Sequence, residues 1–290
     1  MRCEQGASTS IGRGRTPGPS WLRENLTGQD RPQPICKQCG AQVSACVAHP
    51  HDVEKDGVPM ATSPAVSGVP NGALSPLGHR LRVLLSSDRV PGDLRCYFGI
   101  GLPPDVLPFT GSRFEHLAGG GDRSEIADRV TAEDLVAVQT LSVTVPAPVA
   151  LDILEGRLGV QLSGLLHAIP TDIDMVDADA SVLADGSPAD QAWSLLCDRH
   201  GVNWVIAGKV LARKRPRLLP VYDRIVRCAV GRPPSFWLAL HTALREDDAA
   251  LHRGLLALRQ VAGVPETVSA LRVCDVAVWM SHRAGGHPCP

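Results

Sequence analysis

The chain has no apolar run long enough to span a bilayer, so no membrane-spanning role is expected. It also lacks a net charge that would draw it as a whole to polyanions, its formal charge being −1 at pH 7. Lysine is scarce: 290 residues hold four, at positions 37, 55, 209 and 214. There is no phosphate-cradling loop, because Gly119-Gly-Gly121 is not followed by Lys and Ser/Thr. Nor is there a convincing alternating strand between residues 131 and 282. The nine cysteines do not make a disulfide framework. Five of them (96, 197, 228, 274 and 289) stand singly, most within apolar helical patterns, where cysteine acts as a small buried hydrophobe. Their odd number, with no apolar N-terminal leader, points to a reducing cytoplasm.

What the chain does have is segregated charge. Eight basic residues against Asp223 lie between Ala207 and Arg232, whereas Thr171–Asp190 carries six aspartates and no base. The aspartate spacing does not match a calcium-binding loop, so a solvated acidic loop that shields the basic helices is expected. The basic stretch, Asn203–Gly231, is the centre of the chain. It predicts a helix over about 205–213, a bend fixed by Pro216 and Pro220, and a second helix over about 223–230 closed by Gly231. Proline at 216 disfavours helical geometry at Arg215, so the first helix should end there and Leu218-Leu219 should turn inward. The two helices are expected to pack as an angled pair, Val210 and Leu211 against Ile225, Val226 or Ala229. Arg213, Lys214 and Arg217 would then project from the elbow, with Lys209 and Asp223 approaching each other inside it.

Around that centre the signals are helical. Thr131-Ala-Glu-Asp134 is a capping box. Helices are expected near Pro148–Leu158 and Gln161–Ile169. Another follows the Ser187-Pro188 cap, and further ones span Ser235–Arg245, Ala249–Val261 and about Val268–His282. The fold class is therefore all-α: a multi-helix domain over 96–282 with a central basic helix–turn–helix. Residues 1–95 read as a disordered or poorly structured tail, and 283–290 as a disordered C-terminus, because Pro, Gly and Ser dominate and little apolar surface can be buried. Met60 opens an alternative start.

One metal-like cluster lies in that tail. Cys36-Lys-Gln-Cys39-Gly is half of a zinc knuckle, and Cys46 with His49 or His51 would complete four ligands. The alternative is a tail whose cysteines coincide. No other cofactor is expected. The histidines at 116, 167, 200, 241 and 252 share no spacing and read as structural.

The run Lys209-Val-Leu-Ala-Arg-Lys-Arg-Pro-Arg-Leu-Leu-Pro-Val-Tyr-Asp223 resembles the signature of a bacterial, actinobacterial-type family of unknown function. Phe109–Phe114, Thr131–Val138 and Leu271–Trp279 look like the same family, over about Tyr97–Met280. More distantly, Lys209 followed by Leu219-Pro-Val-Tyr-Asp223 resembles the helix-hairpin-helix DNA glycosylases of the 8-oxoguanine type. That resemblance implies Lys209 as an amine nucleophile and Asp223 as the catalytic carboxylate. The family's Leu-Pro-Gly-Val-Gly hairpin is absent, Asn203–Gly208 standing in its place, and the lysine-to-aspartate interval is short. Trp204 or Trp193 would stack an extruded base. Arg213, Lys214, Arg215, Arg217 and Arg224 are the candidate phosphate contacts on DNA. The alternative is a non-catalytic helical module whose basic face meets an acidic protein. On that view Asp223 is an N-cap and Lys209 its partner or a surface residue.

Overall fold

Caps written into the sequence set the helices of this chain, whose computed structural model describes residues 74–103 and 105–284. Thr131 and Asp134 form the expected box: Thr131 Oγ1 accepts from the Asp134 amide at 3.4 Å, and Asp134 Oδ2 accepts from the Thr131 amide at 3.0 Å. They open a helix at Ala132–Gln139. Ser187 caps Pro188–Cys197, Asn203 caps Trp204–Lys214, and Asp223 caps Arg224–Val230. In each case a side-chain oxygen takes up amides that the first helical turn leaves without partners.

In chain order the described residues hold ten α-helices and no strand. They are α1 (Pro76–Leu85), α2 (Val90–Phe98), α3 (Ala132–Gln139), α4 (Ala147–Glu155), α5 (Arg157–His167), α6 (Pro188–Cys197), α7 (Trp204–Lys214), α8 (Arg224–Val230), α9 (Phe236–Ala262) and α10 (Ala270–Ala284). The all-helical class read from the sequence holds. The helical part begins earlier than expected, however. α1 lies within the stretch assigned to the tail and α2 begins in it, and they bury Leu77, Leu81, Val90 and Leu94. A short apolar patch flanked by Pro and Ser carries too little periodicity to reveal a helix whose burial depends on distant partners.

α10 is the central helix of one half. Every residue from Val268 to Val278 is buried, and α1, α2, α8 and α9 pack around it. In the other half α7 lies against α3 and α6, and α5 bridges α4 and α6. α9 is broken where the sequence expects two helices. Asp247, Asp248 and Ala249 take left-handed φ values of 53°, 51° and 57°. Three such residues in succession are strained without glycine. Side-chain contacts hold the break against α1: Glu246 Oε1 accepts from the Ser75 amide at 2.8 Å, and Asp247 pairs with Arg82 at 3.0 Å.

Between α2 and α3 runs a segment with only short 3₁₀ turns, at Thr110–Arg113 and Leu117–Gly119. Its carbonyls have few local partners. Among the described residues no helix is long and apolar enough to cross a membrane.

Candidate functional site

The bend runs partly as the sequence indicates. α7 ends at Lys214, Arg215 leaves helical geometry before Pro216, and Leu218 and Leu219 are each 1% exposed. The packing of the two helices differs from expectation. α8 lies against α10 and α1, while α7 lies against α3 and α6, so they are not an angled pair sharing one interface.

The larger correction concerns the basic run. Arg213, Lys214 and Arg215, expected to project toward phosphates, are 1%, 0% and 1% exposed. Arg213 donates through Nε to Asp134 Oδ1 at 2.9 Å, through Nη1 to the carbonyls of Phe114 and Glu115 at 2.6 and 2.7 Å, and through Nη2 to that of Leu117 at 2.7 Å. Lys214 Nζ donates to the Ile126 carbonyl and to Asp134 Oδ2, both at 2.9 Å. Arg215 reaches the carbonyls of Ile169, Ala127, Lys214 and Leu166, and its Nη2 also meets Asp128 Oδ1 at 2.9 Å. Apart from that of Lys214 itself, these carbonyls belong to the irregular segment before α3 and to the C-terminal end of α5, and those of Leu117, Ile126 and Leu166 each also take a backbone amide. Buried carbonyls need donors, and a guanidinium supplies five in a rigid fork.

One buried carboxylate, Asp134, answers both Arg213 and Lys214 while keeping its cap on α3. Close approach is possible because Gly121 has no side chain: a Cβ there would sit 2.5 Å from the Arg213 carbonyl oxygen and 2.8 Å from Asp134 Oδ1. Burial pushes the Lys214 amine below its usual range, and Asp134 opposes that shift. Of the other expected phosphate contacts, Arg224 is exposed. Arg217 is a partly exposed fork on Asp174 of the acidic loop, Nε–Oδ1 and Nη2–Oδ2 both 2.9 Å, so part of that loop does shield a basic side chain.

Lys209 and Asp223 do meet. Lys209 is 4% exposed; its Nζ lies 3.6 Å from Asp223 Oδ2 and donates to the Leu141 carbonyl at 3.0 Å. Asp223 Oδ1 caps α8, accepting from the Ile225 and Val226 amides at 3.0 Å each. One oxygen caps and the other faces the amine. Desolvation lowers the Lys209 pKa, Asp223 raises it, and Arg272 lowers it further; the net direction is down, toward the neutral amine. Beside the pair stands an aromatic stack. Tyr222 lies 3.9 Å from Phe236 and 5.4 Å from Trp204 between ring centroids, and its hydroxyl is pinned to the Gly231 carbonyl at 2.7 Å. Trp204 is half-buried, with Arg227 over its ring at 5.2 Å.

Next to this pair lies a polar centre that the sequence did not reveal. Arg272 Nη1 donates to Asp275 Oδ2 at 2.7 Å, and its Nη2 donates to Tyr97 and to the Gly111 carbonyl. Glu115 accepts from the Ser269 hydroxyl at 2.6 Å and from its amide at 3.0 Å. Glu115, Arg272 and Asp275, with Phe114, Leu219 and Leu271, line a crevice with no room for a water molecule. The signal was present in Leu271–Trp279: two charged residues three apart in an otherwise apolar helix, which burial tolerates only when they are paired.

Burial pushes the Asp275 carboxyl up to about 7 from its ordinary 3.8, against the pull of Arg272. A raised acid binds its proton in the folded chain where the unfolded chain has already lost it. Its contribution is therefore full below 3.8 and lost as pH rises through about 7. The stability of the native chain relative to an Asp275→Asn variant should fall across that window by up to about 1.4 kcal/mol per pH unit, and level off above it. Urea unfolding of both chains at several pH values checks this; a pH-independent difference would show that Asp275 ionises normally.

Cys36, Cys39, Cys46, His49 and His51 lie outside the described residues. Among the described residues no three His, Cys, Asp or Glu side chains gather to hold a metal ion. No curated protein and no solved structure matches the chain. A family model does match residues 90–282, from the start of α2 into the last turn of α10, and so takes in the Asp134 cluster, the Lys209–Asp223 pair and the Arg272–Asp275–Glu115 centre. On that coverage the chain belongs to DUF6308, a family of unknown function.

Proposed function

We propose that Lys209 is an amine nucleophile with Asp223 as its carboxylate partner, and that the protein acts on a sugar carbon of damaged DNA in the manner of the helix-hairpin-helix glycosylases its central stretch resembles. The observation that carries this reading is the pair itself: a lysine amine 4% exposed, driven toward its neutral form, 3.6 Å from a carboxylate at a helix N-terminus. Only the neutral amine can attack carbon. At an abasic sugar the N–C1′ bond forms, the aldehyde oxygen leaves as water, and an imine results. Asp223 can accept the amine's proton and stabilise the cationic sugar. The Trp204–Tyr222–Phe236 stack beside it offers rings against which a base could lie.

A second reading rests on one contact. Lys209 Nζ donates to the Leu141 carbonyl much as Lys214 donates to that of Ile126, a purely structural use. Under it the chain is a non-catalytic helical module, with the exposed Arg224 available to an acidic partner protein.

Asp223 separates the two. Asp223→Ala should cost about 1 kcal/mol as a lost cap, and Asp223→Asn considerably less, because the amide oxygen still accepts from Ile225 and Val226. On an oligonucleotide with an abasic site, the nucleophile reading expects strand cleavage by the native chain and little by either variant. If Asn and Ala support the same activity as the native chain, or the native chain has none, Asp223 is a cap and the glycosylase reading falls.

A further inference from the structure

Outside the buried polar sites the fold also brings a thiol and an imidazole together. Cys228 Sγ lies 3.1 Å from His282 Nε2, where α8 packs on α10. We propose that Cys228 and His282 form a reactive thiol–imidazole pair, a site of covalent modification by soft electrophiles.

The two residues are 54 apart in sequence, meet where α8 packs on α10, and neither belongs to the buried core. The thiol donates to the imidazole, or the imidazolium donates to the thiolate; either way the proton has a place to go when sulfur becomes a nucleophile. His282 sits in the last turn of α10, where the helix C-terminus favours a positive imidazolium. Cys274 and Cys197 have thiols pushed up to about 12, chiefly by burial, and Cys96 is buried. Cys228, like Cys197, is half-buried, but only Cys228 has an imidazole against its sulfur among the described residues.

In the reaction His282 takes the thiol proton, the sulfur forms a bond to the electrophilic carbon, and the leaving group departs with the bonding electrons. With iodoacetamide as probe the S–C bond forms, the C–I bond breaks, iodide leaves, and the proton stays on the imidazole. α8 begins at the Asp223 cap, five residues before Cys228, so a group added to the sulfur would press on the helix that carries the carboxylate.

The experiment alkylates the full-length chain with iodoacetamide at pH 7 and follows each cysteine-containing peptide by mass spectrometry, in the folded chain and in urea. Exposure alone makes every cysteine faster when unfolded. The expected result is the reverse for Cys228: it reacts on the order of tenfold faster in the folded chain than in urea, while Cys197 and Cys274 react more slowly when folded. His282→Asn, checked by thermal melting to be folded, should remove that advantage. Cys228 reacting no faster folded than unfolded would overturn the proposal. So would a folded His282→Asn chain whose Cys228 keeps its native rate. Neither arm involves DNA, so the outcome stands apart from the fate of the Lys209–Asp223 reading.

Discussion

Asp134→Ala is expected to destabilise the fold by about 3–5 kcal/mol, the usual consequence of leaving buried charge without its partner. The side chain is 1% exposed and is the one carboxylate facing both Arg213 Nε and Lys214 Nζ, each at 2.9 Å. Its removal strands two cations in the interior and also removes the cap on α3. Asp134→Asn keeps an oxygen for the Thr131 amide but loses the charge, and should fall between the native chain and Ala. Adding Lys214→Met to Asp134→Asn deletes one stranded charge, so the double variant should recover part of the loss, a coupling that a double-mutant cycle reads directly. Urea unfolding measures the native chain, Asp134→Ala, Asp134→Asn, Lys214→Met and the double variant. A loss under about 1 kcal/mol for Asp134→Ala would mean that the cluster is solvated after all.

Arg215→Lys, which conserves charge, should still cost about 2–4 kcal/mol. Arg215 donates to the carbonyls of Ile169, Ala127, Lys214 and Leu166 and to Asp128. A lysine has three donors at a single atom and leaves several of these acceptors unmet, each at roughly 1–3 kcal/mol before relaxation. The substitution also tests the reading that the sequence first invites. If Arg215 bound a DNA phosphate, lysine would serve nearly as well and stability would be unchanged. An unchanged melting temperature with unchanged DNA affinity would therefore contradict the structural role.

Much of the fold was legible because its determinants are local. Thr131, Ser187, Asn203 and Asp223 cap helices from within three residues of the amides they satisfy, and Pro216 ends α7 through its own ring. The meeting of Lys209 and Asp223 followed from the same bend. What stayed hidden was non-local. Arg213, Lys214 and Arg215 look like a solvated helix end, and only the return of carbonyls 46 to 99 residues away turns that end into a buried core. Arg272, Asp275 and Glu115 were missed for a similar reason: Glu115 meets Ser269 across 154 residues, and no spacing announces it. Charge segregation along the chain was real, but most of the central positive run is neutralised inside the fold rather than offered to a partner.

The most direct measurement is borohydride trapping. The full-length chain is incubated with duplex DNA carrying an abasic site in the presence of sodium borohydride, and any covalent adduct is mapped by peptide mass spectrometry. The expected result is a reduced imine on Lys209, absent from the Lys209→Gln chain. No adduct, or adducts confined to Lys37, Lys55, Lys214 or the terminal amine with Lys209 unmodified, would contradict the assignment of Lys209 as the nucleophile.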